Sequence, residues 1–96
     1  MTSHNIHIPD KKRKWPIKHA DMIHFIFDED VNSFEIVDHR DYFHPKAPSG
    51  SFGKGDKIGP YKPVVKDQNV DFKYDPDNSD GTASFEANAH TILIGN

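Results

Sequence analysis

Apolar and polar positions alternate along this chain in the manner of strands. The most apolar run, 22–27 (Met-Ile-His-Phe-Ile-Phe), is short, rich in Ile and Phe, and followed by the acidic turn Asp28-Glu29-Asp30. In a strand, Ile23, Phe25 and Phe27 form a wholly apolar row, while Met22, His24 and Ile26 form a second row interrupted only by the imidazole. Cover on both faces is therefore expected, which makes 22–27 a central strand of a two-layer structure. The cleanest alternation lies at 70–74, with Val70, Phe72 and Tyr74 inward and Asp71 and Lys73 outward. Shorter versions occupy 4–8, 15–19, 33–37, 82–86 and 91–94. The first of these stops at Pro9, as an edge strand can, and 33–37 follows 22–27 closely enough for a hairpin. Helical periodicity never exceeds a turn or two, leaving only 38–43 and 86–90 as room for a short helix. About seven short strands with turn signals between them predict one all-β domain over residues 1–96, an antiparallel Greek-key sandwich or barrel.

The span 38–63 breaks the pattern. It holds Gly50, Gly53, Gly55 and Gly59 together with Pro45, Pro48, Pro60 and Pro63, and is expected as a long loop pinned to the body by Phe43 and Phe52. Recognition concentrates on such loops over rigid sheets, so Tyr42, Phe43, Phe52 and Tyr61 become the expected partner-binding side chains.

Composition adds constraints. The hydrophobic fraction, 34%, makes a thin core, for which seven Phe, three Tyr and one Trp compensate by area buried per residue; a dimer interface would help. A formal charge of −3 disfavours nucleic acid and anionic membrane as partners and leaves a protein partner or self-association. The lack of cysteine removes disulfides, thiolate metal sites and thiol nucleophiles. With no apolar run of membrane-span length and no signal-peptide hydrophobic region, the chain as written reads as cytoplasmic, a reading that also fits a mature exported form with its leader removed.

Seven histidines are many for 96 residues. If His39, His44 and His90 converge, with Asp38 or Asp41 beside them, they would hold zinc or type-2 copper. Asp75, Asp77 and Ser79 alternate as calcium-loop ligands do, with Glu86 eleven residues after Asp75, but Asp80 stands where the turn glycine is needed, so a polar connection is the simpler reading. The glycine-rich 50–56 segment lacks the Gly-Lys-Ser/Thr of a phosphate loop. The cations Lys11 to Lys14 beside Trp15 resemble a small phosphate-contacting patch; on an acidic domain they are expected as a solvated connector that discourages edge pairing. No nucleophile elbow or other catalytic motif is present.

The segment 15–27, Trp-Pro-Ile-Lys-His-Ala-Asp-Met-Ile-His-Phe-Ile-Phe, resembles the cupredoxin-like strand pair in which a V-x-x-G-D-x-V-x-F pattern enters a core strand. The ending 85–96, Phe-Glu-Ala-Asn-Ala-His-Thr-Ile-Leu-Ile-Gly-Asn, is similar to the last loop and strand of that fold. The resemblance implies a Greek-key sandwich with a metal site at one end, and His39 and His90 fall near its two histidine places. A blue-copper centre also needs a thiolate, which this chain lacks, and no Met follows His90. The resemblance therefore carries the scaffold without the electron-transfer site. The expected function is a non-catalytic binding or assembly module working through 38–63, and the competing expectation is a mononuclear copper or zinc protein.

Overall fold

The computed structural model describes residues 2–37, 40–75 and 90–96. The described residues form nine strands and no helix: β1 (Ser3–Ile8), β2 (Lys14–Ile17), β3 (Met22–Phe27), β4 (Val31–Ile36), β5 (Phe43–His44), β6 (Gly50–Phe52), β7 (Lys57–Pro63), β8 (Gln68–Asp75) and β9 (His90–Ile94). They make two sheets, ordered β1-β3-β7-β5 and β2-β9-β8-β4-β6. Since there is no helix, none crosses a membrane among the described residues.

The alternation read from the sequence is what joins the layers. Ile6 and Ile8 of β1, Ile23, Phe25 and Phe27 of β3, and Tyr61 of β7 point inward from the first sheet. They meet Phe34 and Ile36 of β4, Val70, Phe72 and Tyr74 of β8, and Ile92 and Ile94 of β9. Phe25 packs edge-on against Phe34 and Phe72, at ring separations of 4.9 and 5.6 Å. Each ring offers its positive edge to a neighbour's negative face, a geometry worth about 1 kcal/mol per pair beyond burial.

Two topological expectations are corrected. The sheets are mixed: β1 runs parallel to β3, and β2 runs parallel to β9. The segments β3 and β4 form an arch rather than a hairpin, one in each sheet. Pairing them side by side would give one sheet with a single greasy face; placing them opposite lets Phe25 and Phe27 bury against Phe34. Most successive strands likewise change sheets, whereas β8 and β9 pair with each other.

The span 38–63 is also corrected, because it carries β5, β6 and β7. Strand β7 is central in its sheet, between β3 and β5. Its pairing with β3 shifts register between Ile23 and Phe25, so Gly59 and Pro60 occupy a bulge, a place in a sheet that tolerates proline. Gly59 has φ of +117°, and a Cβ there would lie 2.8 Å from the Ile23 carbonyl oxygen. Glycine is required at that crossing by both backbone angle and space. The expected strand 82–86 and the expected short helix at 86–90, apart from His90 in β9, lie outside the described residues; Arg40 to Phe43 are not helical.

Substituting Gly59→Ala is expected to destabilise the fold by roughly 2–4 kcal/mol, because a methyl must displace backbone in a central strand. Urea unfolding measures this; an unchanged midpoint would contradict the close approach of β7 to β3.

Candidate functional site

Strand β1 ends at Ile8, just before Pro9, and the chain must then cross to the other sheet to begin β2. Asp10 makes that crossing possible. One carboxylate oxygen, Oδ1, accepts hydrogen bonds from the Lys12 N–H at 3.0 Å, the Arg13 N–H at 3.3 Å and the Trp15 indole Nε1–H at 3.0 Å. This is an Asx-type turn extended to a side-chain donor. The other oxygen, Oδ2, accepts from His90 Nδ1–H at 2.9 Å, and the Asp10 N–H donates to the Tyr74 hydroxyl oxygen at 2.7 Å. Arg13, with φ of +69°, turns the chain in the left-handed region just before β2.

The pair is fully enclosed, with His90 0% and Asp10 1% exposed. The imidazole stacks on Phe72 at 5.3 Å and tilts against Tyr74 at 5.0 Å. Desolvation by itself pushes the Asp10 carboxyl up. The hydrogen bonds from His90, Trp15 and the Arg13 backbone, with the attraction of His90, outweigh it and hold the group below the ordinary aspartate value. Asp10 is thus an ionised, interior acceptor whose function is to fold residues 10–15 into one shape.

That shape is presented to solvent. Lys11, Lys12 and Lys14 are exposed, and the Lys12 ammonium lies 4.6 Å from the centre of the half-buried Trp15 ring. An open groove of about 320 Å³ runs beside them, lined by His7, Pro9, Asp10, Lys11, Lys12, Trp15 and Asp28. On its rim His7 Nδ1 bonds Asp28 at 2.9 Å.

The opposite end of the sandwich has a similar closure. Asp21 accepts from the Lys18 N–H at 3.0 Å, His4 Nε2–H at 2.9 Å and the Thr2 N–H at 3.2 Å. The Lys18 backbone bond first, then the His4 bond, lower its pKa from 3.8 to about 2 against the opposing effect of burial.

Among the described residues, the expected metal ligands His44 and His90 do not come together. His90 is sealed against Asp10, while His44 is exposed on β5, where it pairs with Lys62 at the other end of the sandwich. His39 and Asp38 lie outside the described residues. Of the remaining imidazoles, His19 Nδ1–H donates to the Val65 carbonyl at 2.9 Å, and His24 keeps a buried Nδ1 without a partner among the described residues. No three His, Asp or Glu side chains gather to hold a metal ion among the described residues. For calcium, Asp75 is the last, exposed residue of β8; Asp77, Ser79 and Glu86 lie outside the described residues. The expected partner-binding set is largely interior. Tyr42, Phe43 and Tyr61 are buried, and Phe52 stacks on Phe27 at 4.5 Å. Packed in this way they fasten 40–63 to the body, and the cleft beside Tyr42 and Phe43 is only about 80 Å³.

What the sequence reading missed is Asp10. Its local signal was present: a carboxylate followed at the next positions by turn-forming backbone and then Trp15. Its link to His90 spans 80 residues and left no local trace. No protein-family model, curated protein or solved structure matches the chain.

Replacing Asp10→Ala removes the acceptor shared by the Lys12 and Arg13 N–H groups, the Trp15 indole and His90, so a loss of about 2–4 kcal/mol is expected; retention of stability and of the Trp15 indole N–H shift would refute the assigned role. Asp21 ionises more readily folded than unfolded. Its stabilisation is therefore complete above 3.8 and drains away as pH falls toward about 2. Asp21→Asn should flatten the acid side of the melting-temperature profile over that interval, and an unchanged slope would count against the pairing.

Proposed function

We propose that this domain is a non-catalytic binding module whose recognition element is the Asp10-anchored turn, and that it takes an acidic, extended protein segment. The carrying observation is the buried carboxylate that organises Lys12, Arg13 and Trp15 at once while leaving three lysines outward. A binding surface ordered before its ligand arrives avoids much of the entropy lost on association. Cations set around an aromatic ring suit carboxylates with apolar surface between them. The sealed His90 has no groove-facing role in proton transfer, which supports a binding rather than a catalytic reading. For the scaffold we favour a Greek-key sandwich of cupredoxin-like type; two facing sheets joined by repeated crossovers support that reading.

The test is an NMR titration of the protein with hexaglutamate and, separately, hexalysine. Hexaglutamate should shift the Trp15 indole and the amides of 10–15, with binding weakened at least about tenfold in Lys11→Glu/Lys12→Glu and weakened by added salt. Equal response to the two peptides, or shifts centred on 38–63, would overturn the proposal.

A further inference from the structure

Among the described residues, the exposed edges of the two sheets are guarded unequally. Backbone bonding shows which groups point away from each sheet. The Thr2 and Ile8 carbonyls accept from the Met22 and Asp28 N–H groups, so the even-numbered residues of β1 bond to β3. The N–H and C=O of Ser3, Asn5 and His7 therefore face the open side. On β2 the Arg13 and Ile17 carbonyls accept from Thr91 and Gly95, which leaves Lys14 and Pro16 facing outward. One brings a charge and the other lacks an N–H, two standard means of blocking strand addition. The remaining edges, β5 and β6, are two and three residues long, and Pro45 follows β5 directly. Of these protections strand β1 has only a flanking proline, Pro9, just past its end. It is six residues long, pairs with β3 in unbroken register and contains no Lys, Arg, Asp, Glu or Pro.

We infer that β1 is a dimerisation edge, where two copies of this chain pair antiparallel across a two-fold axis at Asn5. The register follows from the outward groups. Hydrogen-bonded positions must be odd opposite odd, and centring on Asn5 sets Ser3 against His7, Asn5 against Asn5, and His7 against Ser3 of the second copy. Every outward N–H and C=O of β1 is then used; a slip of two residues loses one of the three pairs. The two four-stranded sheets become one continuous sheet of eight. A second copy is the occupant that fits. A chain of net charge −3 repels its twin over most surfaces, yet this register sets no Lys, Arg, Asp or Glu opposite another. The contact is isologous and closes on itself, which limits assembly to a dimer. The edge meets the groove beside the 10–15 turn at His7, so dimerisation is tested at Asn5 and recognition of an acidic segment at Lys11 and Lys12, outside the shared residue.

The absence of cysteine makes the test clean. At Asn5 the two Cα atoms would lie about 5.5 Å apart, within disulfide range. Asn5→Cys should cross-link to a dimer under mild oxidation, while Lys62→Cys, exposed on β7, should not. Sedimentation velocity from roughly 10 µM to 1 mM should show concentration-dependent dimer. Asn5→Lys, which sets two ammonium groups face to face, should raise the dissociation constant at least about tenfold while amide spectra stay those of the folded monomer. A monomer throughout that range overturns the inference. So does a dimer untouched by Asn5→Lys, which places the contact elsewhere, or equal cross-linking of the two cysteine variants, which indicates random collision.

Discussion

The contact between the two aromatic rows governs this structure. Phe25 and Phe27 from one sheet and Phe34 and Phe72 from the other fill the interior. Phe27 meets Phe34 edge-on at 5.5 Å, and Phe72 tilts against Phe34 at 5.9 Å. Each large ring buries far more surface than an aliphatic residue, so a chain with 34% hydrophobic residues still closes a core. The spacing of the layers follows from the same rings, since facing sheets must sit one side-chain thickness apart from each side.

A sandwich held in its middle by rings needs another means of closing its ends, where the chain crosses between layers and backbone groups lose their partners. Carboxylates serve at two of these crossings. Asp10 holds the passage from β1 to β2, and Asp21 holds the passage from β2 to β3. Each gathers backbone N–H groups that have no partner in a sheet, and each has a histidine as an additional donor. The energetic logic is the same at both ends: an ionised acceptor with several donors tolerates burial that an isolated charge would not. Both ends carry an open groove, and the Asp10 end differs in setting several lysines and a tryptophan around its own. Exposed cations around an aromatic ring thus sit at this turn and not on the glycine-rich span, whose aromatic side chains pack inward.

That placement has a physical cause. Glycine and proline in 38–63 suggest a loop because they interrupt local patterns, yet Gly59 is there to let β7 pass the Ile23 carbonyl, and Pro60 sits in the adjoining bulge. Local sequence does not say which way Tyr42 or Phe43 points, so the aromatic side chains of the span suit a binding surface as well as a core. Packing turns them inward. Local sequence places Asp10 only at the head of a basic connector; its burial depends on Tyr74 and His90, which are distant in the chain. The metal reading of His44 and His90 failed to converge for a related reason, since nearness to strand ends in sequence says nothing about which end of the sandwich is meant.

The sequence alone determined the inward rows of β1, β3, β8 and β9, because a period of two is a local property and burial follows it directly. It also determined that the protein is all-β among the described residues and that its core would be aromatic. Tertiary structure decided which sheet each strand joins, the parallel pairs β1·β3 and β2·β9, and the passage of β7 through the middle of a sheet. Those choices depend on hydrogen bonds and ring contacts between residues far apart in the chain. Local patterning tells a strand which face to bury but does not name the neighbour it will bury against.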